Sequence, residues 1–145
     1  MRFLSIALVA AVCPAQQSWP YLTYFGGLGS ENIRFVSSDG AGGTVLAGET
    51  FSVGPPFSTL PPGFRSTPSI FVARIDAAGQ LAFANIVGDG RVGAISVDLD
   101  GKIFVAGTIQ VATDFTTPGV FQREANVSQA FVAKFSPVGE KLFAT

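Results

Sequence analysis

The 145-residue sequence contains no histidine, one cysteine and one methionine. Without histidine, the chain cannot build a Ser-His-Asp or Cys-His catalytic arrangement, and it lacks the commonest metal ligand. A single thiol, Cys13, cannot form a disulfide within the chain or supply a zinc site of several thiolates. These absences exclude the commonest hydrolytic and metal-dependent chemistries, so we expect a protein that is not an enzyme and that carries no cofactor.

Charged residues are also scarce. They make up 13% of the chain, and the formal net charge is −1. A nucleic-acid-binding protein needs a clustered basic face, which this composition does not offer. No apolar run approaches the roughly 20 residues that cross a bilayer. The sequence therefore predicts neither a nucleic-acid partner nor a membrane span.

The N-terminal residues have the three parts of a secretory signal peptide. Met1-Arg2 gives a short positive start, Phe3–Val12 is apolar, and Cys13-Pro14-Ala15 ends the run with a small residue. We expect cleavage after Ala15 and an extracellular or periplasmic mature chain of residues 16–145. Lipid attachment to Cys13 is the alternative.

An internal repeat with a period of about 60 residues organises the rest of the chain. Ser69–Ile75 returns as Gln129–Phe135, shifted by 60 positions, and Thr44–Gly48 returns as Ile103–Gly107, shifted by 59. Two separate segments with nearly the same shift indicate a repeat architecture. We place the two repeats at about residues 21–80 and 81–142.

Each repeat is predicted to contain four short strands, because alternating or fully apolar segments are separated by Asp, Gly and Pro turns. The predicted strands are Arg34–Ser38, Thr44–Gly48, Ile70–Ile75 and Leu81–Ile86 in the first repeat, and Ala94–Asp98, Lys102–Gly107, Ala130–Phe135 and Lys141–Thr145 in the second. Several strands are apolar on both faces, which favours small sheets covered on both sides. The predicted fold is all-β, with repeated four-stranded antiparallel blades like those of a β-propeller. A small β-sandwich is the alternative.

Five elements resemble the SBBP repeat, a bacterial β-propeller repeat of exported proteins: Tyr24–Gly27, Val97–Gly101, Phe104–Gly107, Asp114–Gln122 and Ala130–Lys134. The second repeat matches this pattern over nearly its whole length, whereas the long loop of the first repeat lacks the Asp-Phe-x-Thr start. The resemblance extends from about Tyr21 to the end of the chain. It implies an extracellular, propeller-like module of a bacterial cell envelope and no catalytic residues.

Two repeats are fewer than the four to eight blades of a propeller. Phe143–Thr145 aligns with Phe83–Asn85, and Leu22–Phe25 belongs to the same class of strand. Three hypotheses remain open: the chain is part of a longer repeat protein, several copies assemble into a ring, or the two sheets pack as a sandwich. Exposed blade faces would form large apolar patches, which favours the first two. A ring of three or four chains would contain six or eight blades.

Three aspartates are the candidate metal ligands. Asp98 and Asp100 are two residues apart in a turn that ends with glycine, and Asp39 is the counterpart of Asp98. Their carboxylates could bind Ca²⁺. The alternative is that each aspartate stabilises its own turn by accepting backbone hydrogen bonds. We favour this alternative, because a Ca²⁺ loop needs several more oxygen ligands.

Charged residues at strand ends and in the long loops are candidates for a binding face; they are Glu49, Arg65, Asp114, Arg123 and Glu124. Ordinary solvated surface is the alternative, and we favour it. Trp19 and Tyr21 could stack on a sugar ring. We favour the alternative, in which they anchor the first strand.

The sequence favours a secreted structural or binding module that contacts extracellular protein or polysaccharide through its long loops. The alternative is a subunit or fragment of a propeller-fold hydrolase or lyase that uses carboxylates such as Asp98 and Asp100. A truncated relic without an independent role is the third hypothesis.

The signal-peptide hypothesis predicts that the exported protein begins at Gln16. The intact mass and N-terminal sequence of the secreted product measure this directly. A product that begins at Cys13 and carries a lipid would support the lipoprotein alternative, and a product that retains residues 1–15 would contradict both.

Overall fold

The computed structural model describes residues 22–58, 63–110, 115–123 and 127–145, so the predicted signal peptide lies outside it. Seven strands form one antiparallel sheet in sequence order: β1 Glu31–Ser38, β2 Thr44–Val53, β3 Gly63–Ile75, β4 Leu81–Val97, β5 Ile103–Ile109, β6 Gln129–Phe135 and β7 Lys141–Ala144. These described residues contain no helix that could span a membrane. The prediction of an all-β, antiparallel fold is confirmed.

The main difference from the sequence prediction is β4. The segments Leu81–Ile86 and Ala94–Asp98, predicted as separate strands, belong to one strand of 17 residues. Residues 81–89 pair with β3, and residues 90–97 pair with β5. The strand changes partner at Gly90, where a Cβ atom would collide with the Thr108 carbonyl oxygen. Glycine therefore allows β4 to run against β5 without a break.

The change of partner in β4 divides the sheet into two four-stranded units. The first unit contains β1, β2, β3 and residues 81–89 of β4; the second contains residues 90–97 of β4 and strands β5, β6 and β7. The two units correspond to the two sequence repeats, but each unit begins and ends somewhat later in the chain than the predicted repeat. The last strand of the first unit continues directly into the first strand of the second.

The two units share one hydrophobic core. Its buried members include Val45, Ala47, Ile70 and Val72 of the first unit, and Val105, Phe131, Ala133 and Phe135 of the second. Burial of one Val, Ile or Phe side chain contributes about 1.5–3 kcal/mol. One face of each unit is thus covered by the other unit, as expected for strands that are apolar on both sides.

The opposite face of the first unit, which we call the outer face, carries a smaller cluster. Leu46, Phe71, Ala73 and Ile75 are buried there together with Phe57 from the loop after β2. The Phe57 and Phe71 ring centroids are 5.3 Å apart. The loop also differs in extent from its prediction, because Gly63 and Phe64 extend β3 by pairing with the end of β2.

The segment before β1 does not form the strand that the alignment predicts. Leu22–Phe25 has no strand structure; instead, the Phe25 ring packs 5.3 Å from the Phe71 ring on the outer face. In the repeat, this class of strand pairs with a strand equivalent to β3, but β4 already occupies that edge of β3. The prediction for Leu22–Phe25 was therefore wrong.

Two polar contacts fix the first unit to the turn between β6 and β7. Arg74 Nη1 donates to the Pro137 carbonyl oxygen at 3.1 Å, and Asn85 Nδ2 donates to the Gly139 carbonyl oxygen at 2.6 Å. A Cβ atom on Gly139 would lie 2.7 Å from Phe83 Cγ and 2.9 Å from Asn85 Nδ2. The absence of a side chain at Gly139 is thus a condition for this close approach of the units.

Replacement of Gly139 by alanine is expected to destabilise the protein more than the same change at Gly40. Both glycines have positive φ, 88° and 74°, but a Cβ on Gly40 would meet nothing within 4 Å. Gly40→Ala should lower the free energy of unfolding by about 1–2 kcal/mol through backbone strain alone. Gly139→Ala should lower it by a further ~1–3 kcal/mol through overpacking. Denaturant titrations measure both values, and equal losses would contradict the described contact between the units.

Candidate functional site

The candidate aspartates belong to a type of turn that occurs four times among the residues that the structure describes. In each turn, one side-chain oxygen accepts backbone N–H groups two and four residues later, and the four residues that provide it are Asp39, Asp76, Asp98 and Ser136. Asp39 Oδ1, for example, lies 2.8 Å from the Ala41 nitrogen and 2.7 Å from the Gly43 nitrogen. These bonds satisfy backbone donors that a tight turn leaves unpaired.

The second oxygen of Asp39 belongs to a buried ion pair. Arg74 Nε and Nη2 donate to Asp39 Oδ2 at 2.9 and 2.6 Å, and only 3% of the Asp39 side chain is exposed. Burial by itself would raise the pKa of this carboxyl group. The hydrogen bonds from Arg74, Ala41 and Gly43 and the charge of Arg74 outweigh burial and hold the pKa of Asp39 below its usual value of 3.8.

The second unit contains a looser version of the same pair. Lys134 Nζ lies 3.9 Å from Asp98 Oδ2 and 4.4 Å from the centre of the Phe104 ring. Asp100 accepts a 2.6 Å hydrogen bond from Lys102. That bond and the charge of Lys102 lower the pKa of Asp100, and the same bond raises the pKa of Lys102.

The three predicted metal ligands lie around one open cleft, but each carboxylate is engaged by different hydrogen-bonding or charged partners. Asp39, Asp98 and Asp100 line this cleft together with Arg74. Each carboxylate lies near a cation, and two of them also accept backbone hydrogen bonds. Within the ranges that the structure describes, no group of three or more His, Cys, Asp or Glu side chains could hold a metal ion. Their geometry thus favours the turn function, and Ca²⁺ binding stays a hypothesis.

The charged candidates for a binding face have separate surroundings. Glu49 forms a 2.8 Å ion pair with Arg34, and Arg65 lies 3.5 Å from Asp89. Arg123 lies in the loop after β5, where its carbonyl oxygen accepts a hydrogen bond from Thr116. The remaining candidates lie outside the described residues; they are Trp19, Tyr21, Asp114 and Glu124.

A pocket beside Arg123 is the strongest candidate binding site. It has a volume of about 220 Å³, lies between the β5–β6 loop and β6, and its lining includes Phe115, Phe121, Gln122, Arg123, Gln129 and Phe131. The Phe115 ring packs edge-on against Phe131 with centroids 5.4 Å apart, whereas the Phe121 ring is fully exposed. The pocket thus combines a fixed apolar wall with a ring that is free to contact a ligand.

The polar groups of the pocket are held by the chain around it. Gln122 Nε2 donates to Gln129 Oε1 at 2.5 Å, and Thr145 Oγ1 donates to the Gln122 carbonyl oxygen at 3.2 Å. Sequence reasoning identified Arg123 and the loop that contains Phe115 and Phe121. It missed Gln129 and Phe131, which reach the pocket only because β6 passes beneath this loop.

Comparison with known proteins adds no assignment, because no family model and no curated protein matches the chain. The resemblance to the SBBP repeat stays a prediction.

The buried Asp39–Arg74 pair predicts an acid-dependent loss of stability. Because folding lowers the pKa of Asp39, its contribution is fully present above pH 3.8 and is lost as the pH falls through the folded pKa. At neutral pH, Asp39→Asn should lower the free energy of unfolding by about 1.5–3 kcal/mol, the usual range for a hydrogen bond to a charged group. Near pH 2, wild type and variant should differ much less.

Asp76→Asn is the matched control. Asp76 accepts the same two backbone hydrogen bonds in its own turn, but the Arg74 pair belongs to Asp39. Denaturant titration at both pH values gives the four differences. An Asp39→Asn effect that is no larger than that of Asp76→Asn, or that persists in acid, would contradict the assigned ion pair.

Proposed function

We propose that the chain is a secreted structural or binding module of propeller-type repeats that contacts an extracellular polysaccharide. The pocket around Phe121 and Arg123 carries this proposal. A protein surface is the second ligand class that the loops could contact, and the experiment below separates the two.

The propeller-type architecture is supported by the arrangement of the two units. Each has four antiparallel strands, both present apolar side chains on two faces, and they share a core through one face of each. A β-propeller is built by repetition of such a contact from blade to blade.

The chemistry of the pocket suits a sugar. A pyranose ring has an apolar C–H face and a rim of hydroxyl groups, so it needs an aromatic surface beside hydrogen-bonding groups. Phe121 offers the surface, and Gln122 and Gln129 offer amide groups. Arg123 adds a cation that would favour a carboxylated or sulfated saccharide. Few polar groups on a mainly apolar wall are typical of ligand sites.

The hydrolase or lyase alternative needs a carboxyl group that can exchange a proton with a substrate. Asp39 is buried and bonded to Arg74, and Asp100 is bonded to Lys102. Asp98 has one oxygen engaged by two backbone N–H groups. Carboxylates held in this way are suited to stabilising turns, which favours binding over catalysis.

The proposal predicts saturable binding of the purified chain to at least one polysaccharide in a panel of neutral, uronic and sulfated polymers. Phe121→Ala should weaken that binding at least tenfold, which corresponds to about 1.4 kcal/mol. Arg123→Ala should weaken binding to acidic polymers more than to neutral ones. Leu99→Ala is the matched control, because Leu99 is also a fully exposed apolar residue but lies in the β4–β5 turn.

Affinity electrophoresis measures binding, and an assay for new reducing ends or unsaturated products on the same samples measures turnover. Turnover that disappears in Asp98→Asn would support the enzyme alternative and contradict the proposal. Binding that Phe121→Ala leaves unchanged, or binding only to envelope proteins, would contradict the assignment of this pocket to a polysaccharide.

A further inference from the structure

Some residues that face the shared core in the first unit have counterparts in the second unit that are exposed to solvent. On the first unit, Val72 faces the shared core and is fully buried. Its counterpart 60 residues later, Val132, is 40% exposed, and the neighbouring Ala130 is exposed as well. The face of the second unit formed by Phe104, Ala106, Ala130 and Val132, which we call the open face, thus repeats the buried face formed by Val45, Ala47, Ile70 and Val72.

The outer face of the first unit shows the opposite relation. Val36 lies on this face beside Leu46 and is 64% exposed. Its counterpart in the second unit, Ile95, is half-buried and packs against the shared core. Leu46, Phe71, Ala73 and Ile75 are the sequence counterparts of Val105, Phe131, Ala133 and Phe135, and both sets are buried. On the outer face, Phe57 and Phe25 of the same chain pack on the first set, so the difference in exposure rests on Val36. The outer face therefore repeats the face by which the second unit packs on the first.

The polar contacts of the core interface also have counterparts on these two faces. Arg74 and Asn85 of the first unit donate to the turn that contains Pro137 and Gly139. Lys134 and Thr145 occupy the positions equivalent to Arg74 and Asn85, and the equivalent turn is Asp76–Gln80.

Exposure of the ion pairs follows the same pattern. The Asp39 side chain is 3% exposed, and its partner Arg74 donates to the Pro137 carbonyl oxygen of the second unit; the counterpart Asp98 is 33% exposed. Asp98 is thus more exposed than Asp39, as expected if no further unit packs on the open face.

We propose that the open face of one chain binds the outer face of a second copy, head to tail, and so extends the contact that already joins the two units. Both sides of this contact are present on one chain: the open face carries Val132 and the Lys134 cation, and the outer face carries Val36 and lies beside the Asp76–Gln80 turn. A head-to-tail contact closes into a ring or grows into a filament. A ring of four to eight units would contain roughly two to four chains.

A second copy fits these faces better than a same-face dimer. A two-fold dimer through the open face would place Val132 of one chain near Val132 of the other, a pairing of equivalent faces that the core interface does not use. The second copy would also contact the wall of the pocket, because Ala130, Val132 and Thr145 belong to both surfaces. Because the two surfaces share residues, assembly is tested by the mass of the particle without any saccharide. A failure of the self-association can then be told apart from a failure of the proposed polysaccharide binding.

Two charge substitutions and their mixture test the inference. Val132→Glu places a charge on the open face, and Val36→Glu places one on the outer face. Each variant alone should be a monomer by size-exclusion light scattering at concentrations where the wild-type chain is a larger particle. Because each variant retains the face that the other has lost, an equimolar mixture should form a heterodimer of one Val132→Glu and one Val36→Glu chain.

Leu99→Glu is the control, since it adds the same charge at a fully exposed site in the β4–β5 turn and should leave the mass unchanged. A thermal melt of each variant verifies folding, and Ala130→Glu replaces Val132→Glu if the latter fails to fold. A monomeric wild-type chain would overturn the inference. A Val36→Glu variant that still assembles, or a mixture that stays monomeric, would overturn the head-to-tail contact.

Discussion

The hydrophobic core between the two units is the interaction on which the rest of the structure depends. A small sheet with apolar side chains on both faces cannot place both faces in water without losing most of its stabilisation. In this chain, Val45, Ile70 and Val72 of the first unit are buried completely because Val105, Phe131 and Phe135 of the second unit cover them. The continuous strand β4 sets the two units next to each other, and Gly90 and Gly139 permit the close backbone approaches that this requires.

The few charges of the chain complement this core. Asp39, Asp76 and Asp98 hold the turns that join neighbouring strands, and Arg74 connects one of those turns to the carbonyl oxygen of Pro137 in the other unit. Because these carboxylates have structural partners, the loops offer a clearer site for recognition than the turns do. The pocket at Phe121 combines an exposed aromatic ring with amide groups that the β6 strand and the chain end at Thr145 keep in place.

Much of the local structure could be predicted from the sequence, because the repeat shows each strand twice and Asp, Gly or Pro residues mark each turn. The continuity of β4 could not, since Leu81–Ile86 and Ala94–Asp98 are separate apolar segments and the exchange of partner at Gly90 depends on where β3 and β5 lie. The position of Phe25 could not be predicted either. The alignment assigned it to a strand, whereas its ring packs on Phe71, a contact that exists only in the folded chain. The pocket was foreseen through Arg123 and its loop but not through Gln129, which comes from a strand distant in sequence.

We conclude that the two units form one cooperative structure through their shared core. Native-state amide hydrogen exchange measures this most directly, because it gives an opening free energy for each backbone amide. In one cooperative structure, the slowest amides of β2 and β3 should exchange with the same opening free energy as those of β5 and β6, and both sets should respond equally to denaturant. Two separate values, with one unit opening while the other stays protected, would contradict it.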